Sequence, residues 1–313
     1  MKYIPTEFYS ITEIGGVGEM VYKAVRFPEC VPEYDHARKE EMIVPVFTYM
    51  HAPKSGTDYK MNGQDILVSL CNLYQDINAP DYTYSTTDMV WNWCRQNVHP
   101  YNIDVLCEML KPENYKSCLL SGEIASYGTF DVNDFIKDLC KLGSAFEYYN
   151  VLQKVRFRKD VAAGRALYYE GRICDSMPFL EKFRRYESDE EYLEKFNENY
   201  HDLILNVTEM FPDIRWRLLE NPKTHKIELG VEVKSVFDIA WYTFARLVAD
   251  VAPPIDDDLN YMYDCQGSIL TCMACGKYFV RHSSRQRYCQ DPDCQAKRNN
   301  RKAKAYYDRQ KMK

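Results

Sequence analysis

Between about residue 62 and residue 210, apolar side chains return every three or four positions, the period of a helix with one buried face. Asp65–Ile77 carries Ile66, Leu67, Leu70, Leu73, Tyr74 and Ile77 on that period. A second segment opens at Thr87-Asp-Met-Val and sets Val90, Trp91 and Cys94 on one side. Asn133–Arg156 carries Phe135, Ile136, Leu139, Leu142, Phe146 and Tyr149, and Glu190–Leu205 carries Leu193, Phe196, Tyr200 and Leu203. Stripes of this width predict core-facing helices rather than binding surfaces.

The period shortens to two elsewhere. Ile214-Arg-Trp-Arg-Leu-Leu and Lys226-Ile-Glu-Leu-Gly-Val-Glu-Val flank Asn221-Pro-Lys-Thr, which predicts a β-hairpin over 214–233. Val21–Phe27 and Met42–Tyr49 read as short strands, the second as an edge strand because Pro45 lacks a donor for the ladder. Gly15-Gly-Val-Gly18 lacks the spacing of a dinucleotide fingerprint and reads as a turn. Ser235-Val-Phe-Asp238 has capping-box form, with Asp in place of Glu, ahead of an apolar helix that stops by Pro253-Pro254. The expected fold is mainly α with small β elements. A large helical N-terminal domain (1–252) is followed by a linker with three consecutive aspartates (253–264) and a small C-terminal module (265–313).

No apolar run approaches the ~18–20 residues that cross a bilayer, and Met1–Glu7 has no apolar signal core. The expectation is therefore a cytoplasmic protein without a membrane partner, whose thiols stay reduced. Eight of the twelve cysteines are scattered singly, mostly in apolar surroundings, where thiols act as small hydrophobes. The other four form Cys272-x2-Cys275-x13-Cys289-x4-Cys294. Two close pairs across a short loop can set four thiolates around one tetrahedral Zn²⁺, with Cys265 and His282 as alternative ligands. Cys275-Gly276 suits a tight knuckle, Lys277–Arg281 a strand whose Phe279 covers a small core, and Asp291-Pro292 a helix start. Four thiolates leave no open coordination position, which argues for structural rather than catalytic zinc. With six scattered histidines and no nucleophile motif, an enzyme is not expected. A nuclease is the enzyme reading that remains.

Charge then adds a partner. From Lys277 onward there are twelve Lys or Arg against three Asp or Glu, a balance of +9, which leaves −15 for the residues before it. On a helix running from Pro292 through Asp308, Lys297, Arg298, Arg301, Lys302, Lys304 and Arg309 occupy about half of the circumference. Arg281, Arg285 and Arg287 precede them on the loop. Such a surface suits nucleic-acid phosphates, with DNA expected ahead of RNA. The alternative is a protein-interaction module that docks on an acidic partner or on the acidic body itself. A small-molecule ligand or a second copy of the chain is the expected partner of the N-terminal region.

The run from Cys272 to Arg298, with Phe279, Ser284, Arg285, Arg287 and Tyr288 between its cysteine pairs, resembles the CGNR-type zinc finger of bacteria. Cys294-Gln-Ala-Lys stands where that family has Cys-Gly-Asn-Arg. The resemblance covers about 45 residues. It implies a treble-clef-like module that binds DNA in transcriptional regulators, joined to a helical N-terminal domain.

Overall fold

The computed structural model describes residues 7–8, 20–24, 30–45, 59–79, 84–158, 162, 188, 190–191, 196–211, 215–220, 227–250, 269–283 and 285–311. Its N-terminal strands are β1 (Glu7–Phe8), β2 (Met20–Ala24), β3 (Cys30–Asp35), β4 (Glu40–Pro45) and β5 (Tyr59–Asn62). The helices α1 (Gly63–Ile77), α2 (Thr86–Gln96), α3 (Ile103–Met109), α4 (Pro112–Leu120) and α5 (Glu123–Gly128) follow. Next come β6 (Phe130–Asp131), α6 (Val132–Arg158), α7 (Phe196–Glu209), β7 (Arg215–Glu220), β8 (Ile227–Glu232) and α8 (Val236–Asp250). The chain ends in β9 (Ile269–Thr271), β10 (Tyr278–Val280) and α9 (Pro292–Lys311). The fold is mainly helical, with small antiparallel sheets ordered β1-β2-β5, β3-β4-β6, β7-β8 and β9-β10.

The helix starts follow their capping residues. The Asn62 side chain accepts from Gln64 N at 2.8 Å and Ser85 Oγ from Asp88 N at 3.1 Å. At α8 the capping box closes in both directions. Ser235 Oγ accepts from Asp238 N at 3.0 Å, and Asp238 Oδ2 accepts from Ser235 N and Lys234 N, each at 2.9 Å. The predicted hairpin is present as β7–β8, paired from Arg215↔Glu232 to Glu220↔Ile227.

One strand assignment is corrected. β4 is the central strand of its sheet, paired to β3 on one side and β6 on the other. Pro45 is tolerated because it closes the strand, while β6 pairs only with Met42 and Ile43. The turn into β4 relies on Asp35, whose carboxylate accepts from Ala37 N at 2.8 Å and Arg38 N at 3.1 Å. The three short helices α3 to α5, which periodicity did not separate, share a small core of Leu106, Leu110, Tyr115 and Ile124. Gly15–Gly18, Leu193 and the expected linker 253–264 lie outside the described residues.

The principal core lies between α1, α6 and α8. Leu70, Phe146 and Phe244 are fully buried, and the last two rings meet edge to face at 5.3 Å. Cys30, Cys71 and Cys94 are buried here too, and burial pushes their thiols up, Cys30 to about 11. They are packing groups rather than nucleophiles. Gly143 on α6 packs against Tyr74 of α1, and an added Cβ there would lie 2.1 Å from Tyr74 Cγ. On an open helix a Gly→Ala change stabilises by about 1 kcal/mol. Gly143→Ala is expected to do the reverse and cost about 1–3 kcal/mol, because the ring stem of Tyr74 has nowhere to go. Urea unfolding at fixed zinc concentration gives the sign.

His99 is 4 % exposed, with Nε2 2.8 Å from Gly128 O and Nδ1 2.8 Å from Tyr101 O. Burial holds its pKa down at about 4, although the two carbonyls favour the charged ring. In the window from the unfolded value near 6.5 down to about 4, the unfolded chain binds a proton that the folded chain refuses. The stabilisation is therefore complete above about pH 6.5 and is lost as pH falls through that window, roughly 3 kcal/mol in all. His99→Gln should flatten the acid dependence of the urea midpoint by that amount. Acid release of zinc is common to both proteins and cancels in the comparison.

Candidate metal centre and basic surface

The strand pair β9–β10 enters a knuckle built by its own backbone. Cys272 N donates to Lys277 O at 2.8 Å and Gly276 N to Cys272 O at 3.0 Å, while Gly276 sits at φ +77, a conformation that favours glycine. Met273 N donates to Arg287 O at 3.1 Å and so ties the knuckle to the loop carrying the second cysteine pair. Asp291 caps α9. Its Oδ1 accepts from Asp293 N at 3.0 Å and Cys294 N at 3.1 Å, which places Cys294 in the first helical turn.

These local devices gather the four cysteines. The sulfurs of Cys272, Cys275, Cys289 and Cys294 all lie within 4.8 Å of one another, and those of Cys275 and Cys289 are 3.9 Å apart. A tetrahedral zinc with bonds of about 2.3 Å spaces its sulfurs by about 3.8 Å, so the cluster can hold a metal of that size with little adjustment. His282 is exposed and outside the cluster, and Cys265 lies outside the described residues. The N–H groups of Ala274 and Cys289 each point at Cys272 Sγ from 3.4 Å. Burial raises the Cys272 thiol, but the N–H groups of Cys289, Ala274 and Cys275 outweigh it and draw the group down to about 6. Cys289 and Cys294 are raised, first by burial. Each thiolate in so tight a set hinders ionisation of the next, and a divalent cation at the centre reverses that penalty.

Below the cluster the module merges with the helical core. Cys272, Phe279 and Cys294 pack together, whereas Tyr278 and Val280, on the other face of the same strand, belong to the principal core. The Asn72 amide on α1 accepts from Tyr278 N at 2.7 Å and donates to Tyr278 O at 3.0 Å, as a neighbouring strand would. The buried Tyr278 ring meets Phe146 edge to face at 5.1 Å, and Lys277 Nζ pairs with Asp76 Oδ2 at 2.8 Å. The sequence reading missed Asn72 and Asp76. They stand about 200 residues before their partners and carry no local signal of the role.

The basic residues expected to face nucleic acid differ in their exposure. Arg281 is corrected: it is fully buried, and its Nε donates to Ser283 O at 2.8 Å, so it braces the loop and is not available to a phosphate. Arg285, Lys297, Arg301, Lys302, Lys304 and Arg309 are exposed, and Arg287 and Arg298 are half-buried. Every residue from Asn299 to Lys311 is exposed, so α9 projects from the module for about 20 Å. Arg298 Nη1 donates to Gln295 Oε1 at 2.9 Å and Arg301 Nη1 to Tyr288 OH at 3.0 Å, which fixes the two arginines nearest the module. Ser284 lies outside the described residues.

A cavity lined by Cys30, Cys94, His99 and Phe130 in the helical body has a volume of only about 10 Å³, room for no more than a water molecule. Among the described residues, no helix is long and apolar enough to cross a membrane. No protein-family model, curated protein or solved structure matches the chain.

Because β10 serves both cores, loss of a metal from the cysteine cluster is expected to weaken the helical body as well as the module. Stripping the protein with a chelator, or replacing Cys289 and Cys294 by Ser, should lower the unfolding midpoint reported by tryptophan fluorescence, to which Trp93 and Trp241, both buried in the helical core, contribute. An unchanged tryptophan transition would show that the two cores are energetically independent.

Proposed function

We propose that the chain is a zinc-binding, nucleic-acid-binding protein of the cytoplasm, in which residues 265–313 form a CGNR-like zinc finger that presents a basic helix to DNA. The observation that carries this reading is α9 itself. It is a 20-residue helix that leaves a four-cysteine base and then projects with its cations in water. A helix that is polar all round gains nothing from a hydrophobic core, so its stability and use call for another partner. Twelve Lys or Arg against three Asp or Glu after residue 276 favour an anionic one.

The geometry favours DNA over RNA. An α-helix with side chains is about 10–12 Å across and enters the B-DNA major groove, about 12 Å wide, whereas the A-form major groove is too narrow. Arg298 and Arg301 meet the duplex near the module, and Lys302, Lys304 and Arg309 follow further along the helix. Zinc supplies rigidity rather than chemistry, since four thiolates occupy its tetrahedron. A role in transcription regulation rests on the resemblance in sequence.

The test is a fluorescence-anisotropy titration of the zinc-loaded chain with duplex DNA, single-stranded DNA and RNA, beside Cys289→Ser, Cys294→Ser. Binding is expected to be tightest to duplex. It should fall steeply with salt, with a log–log slope of about −4 to −5 if some five phosphates are neutralised. The serine variant should bind at least tenfold more weakly. If zinc is present by metal analysis and none of the three probes binds, the proposal is wrong.

A further inference from the structure

Beside the cysteine cluster, Ser283, residues 285–290 and the first turns of α9 enclose a shallow groove of about 320 Å³. Arg285, Arg287, Arg298, Tyr288, Gln286 and Gln295 line it. Among the described residues no Asp or Glu lines it. We infer that this groove seats one phosphate of a nucleic-acid strand, together with its flanking sugars, and thereby fixes where α9 lies along the duplex. The inference rests on the nucleic-acid reading above and adds an anchor point to it.

The local geometry supports a built seat over diffuse attraction. Two of the amides are already committed to shaping the walls. Gln286 Oε1 accepts from His282 N at 2.9 Å and its Nε2 donates to Tyr288 O at 3.2 Å, so the amide spans the loop. Gln295 holds Arg298 by one of five N–H donors and leaves the guanidinium further donors for an anion. The forked guanidinium matches phosphate oxygens in pairs, which a lysine does not. The helix N-terminus, the usual backbone site for an anion, is taken by the Asp291 carboxylate, so the arginines must supply the attraction. Further out, Arg309 folds back on its own helix, with Nε donating to Ala305 O at 3.1 Å.

The experiment compares two full-length, zinc-loaded variants that each lose two positive charges, Arg285→Gln, Arg298→Gln in the groove and Lys304→Gln, Arg309→Gln near the end of α9. Duplex binding is read by anisotropy across a salt series. A seat predicts that the groove variant loses at least tenfold more affinity than the distal one, and that its salt slope falls by about one unit for the phosphate released. Equal losses in the two variants overturn the seat and leave nucleic-acid binding standing. Failure of the unmodified chain to bind any probe removes both. Should the groove variant lose zinc, Arg285→Lys, Arg298→Lys decides the matter with charge retained: a loss of threefold or more supports forked recognition, and unchanged affinity overturns it.

Discussion

A three-residue strand joins the two parts of this molecule. Side chains alternate across a strand, so Tyr278 and Val280 face the helical core while Phe279 faces the cysteine cluster. The short strand therefore completes two hydrophobic cores at once. Its partner β9 pairs with it along one edge, and on α1 the Asn72 amide satisfies both the N–H and the C=O of Tyr278. A buried backbone amide left without a partner would cost about 1–3 kcal/mol, so Asn72 belongs to the strand as much as to the helix.

That constraint gives the projecting helix a fixed base. α9 begins one residue after Asp291, its first turn carries Cys294, and Cys294 packs with Phe279 on the strand that Asn72 holds. A metal in the cluster would stiffen the same connection from the other side. The acidic balance of the body, −15 before residue 277, meets the module at the Asp76–Lys277 pair, while α9 beyond Arg298 stays in water. Beyond Arg298 the basic surface is thus held in water by its attachment to the module.

Arginine shows how position overrides composition. Arg281, Arg285 and Arg287 lie within one seven-residue segment, yet Arg281 is fully buried and braces Ser283, while Arg285 is exposed. Arg281 directly follows the buried strand β10, whereas Arg285 lies out on the loop. Gln286 and Gln295 resemble ordinary polar surface residues in sequence. In the fold they shape the groove wall and aim Arg298. The i, i+3 spacing of Gln295 and Arg298 was a visible hint of that contact.

What the sequence determined by itself was local. Helical stripes, the Ser235–Asp238 box, the β7–β8 hairpin, the Asp291 cap and the cysteine spacing each act within a few residues to about two dozen. Short-range backbone geometry and side-chain period suffice to fix features of that reach. The central place of β4, the Gly143–Tyr74 contact, the burial of Arg281 and the pairing of Asn72 with Tyr278 were decided only in the tertiary structure. Each depends on which surfaces meet after collapse, and in the last case the meeting residues are 206 positions apart. No periodicity or spacing along a chain encodes a meeting of that kind. It follows from the packing of α1 against α6 and of both against β10, where burial of apolar surface sets the geometry and the polar groups adapt to it.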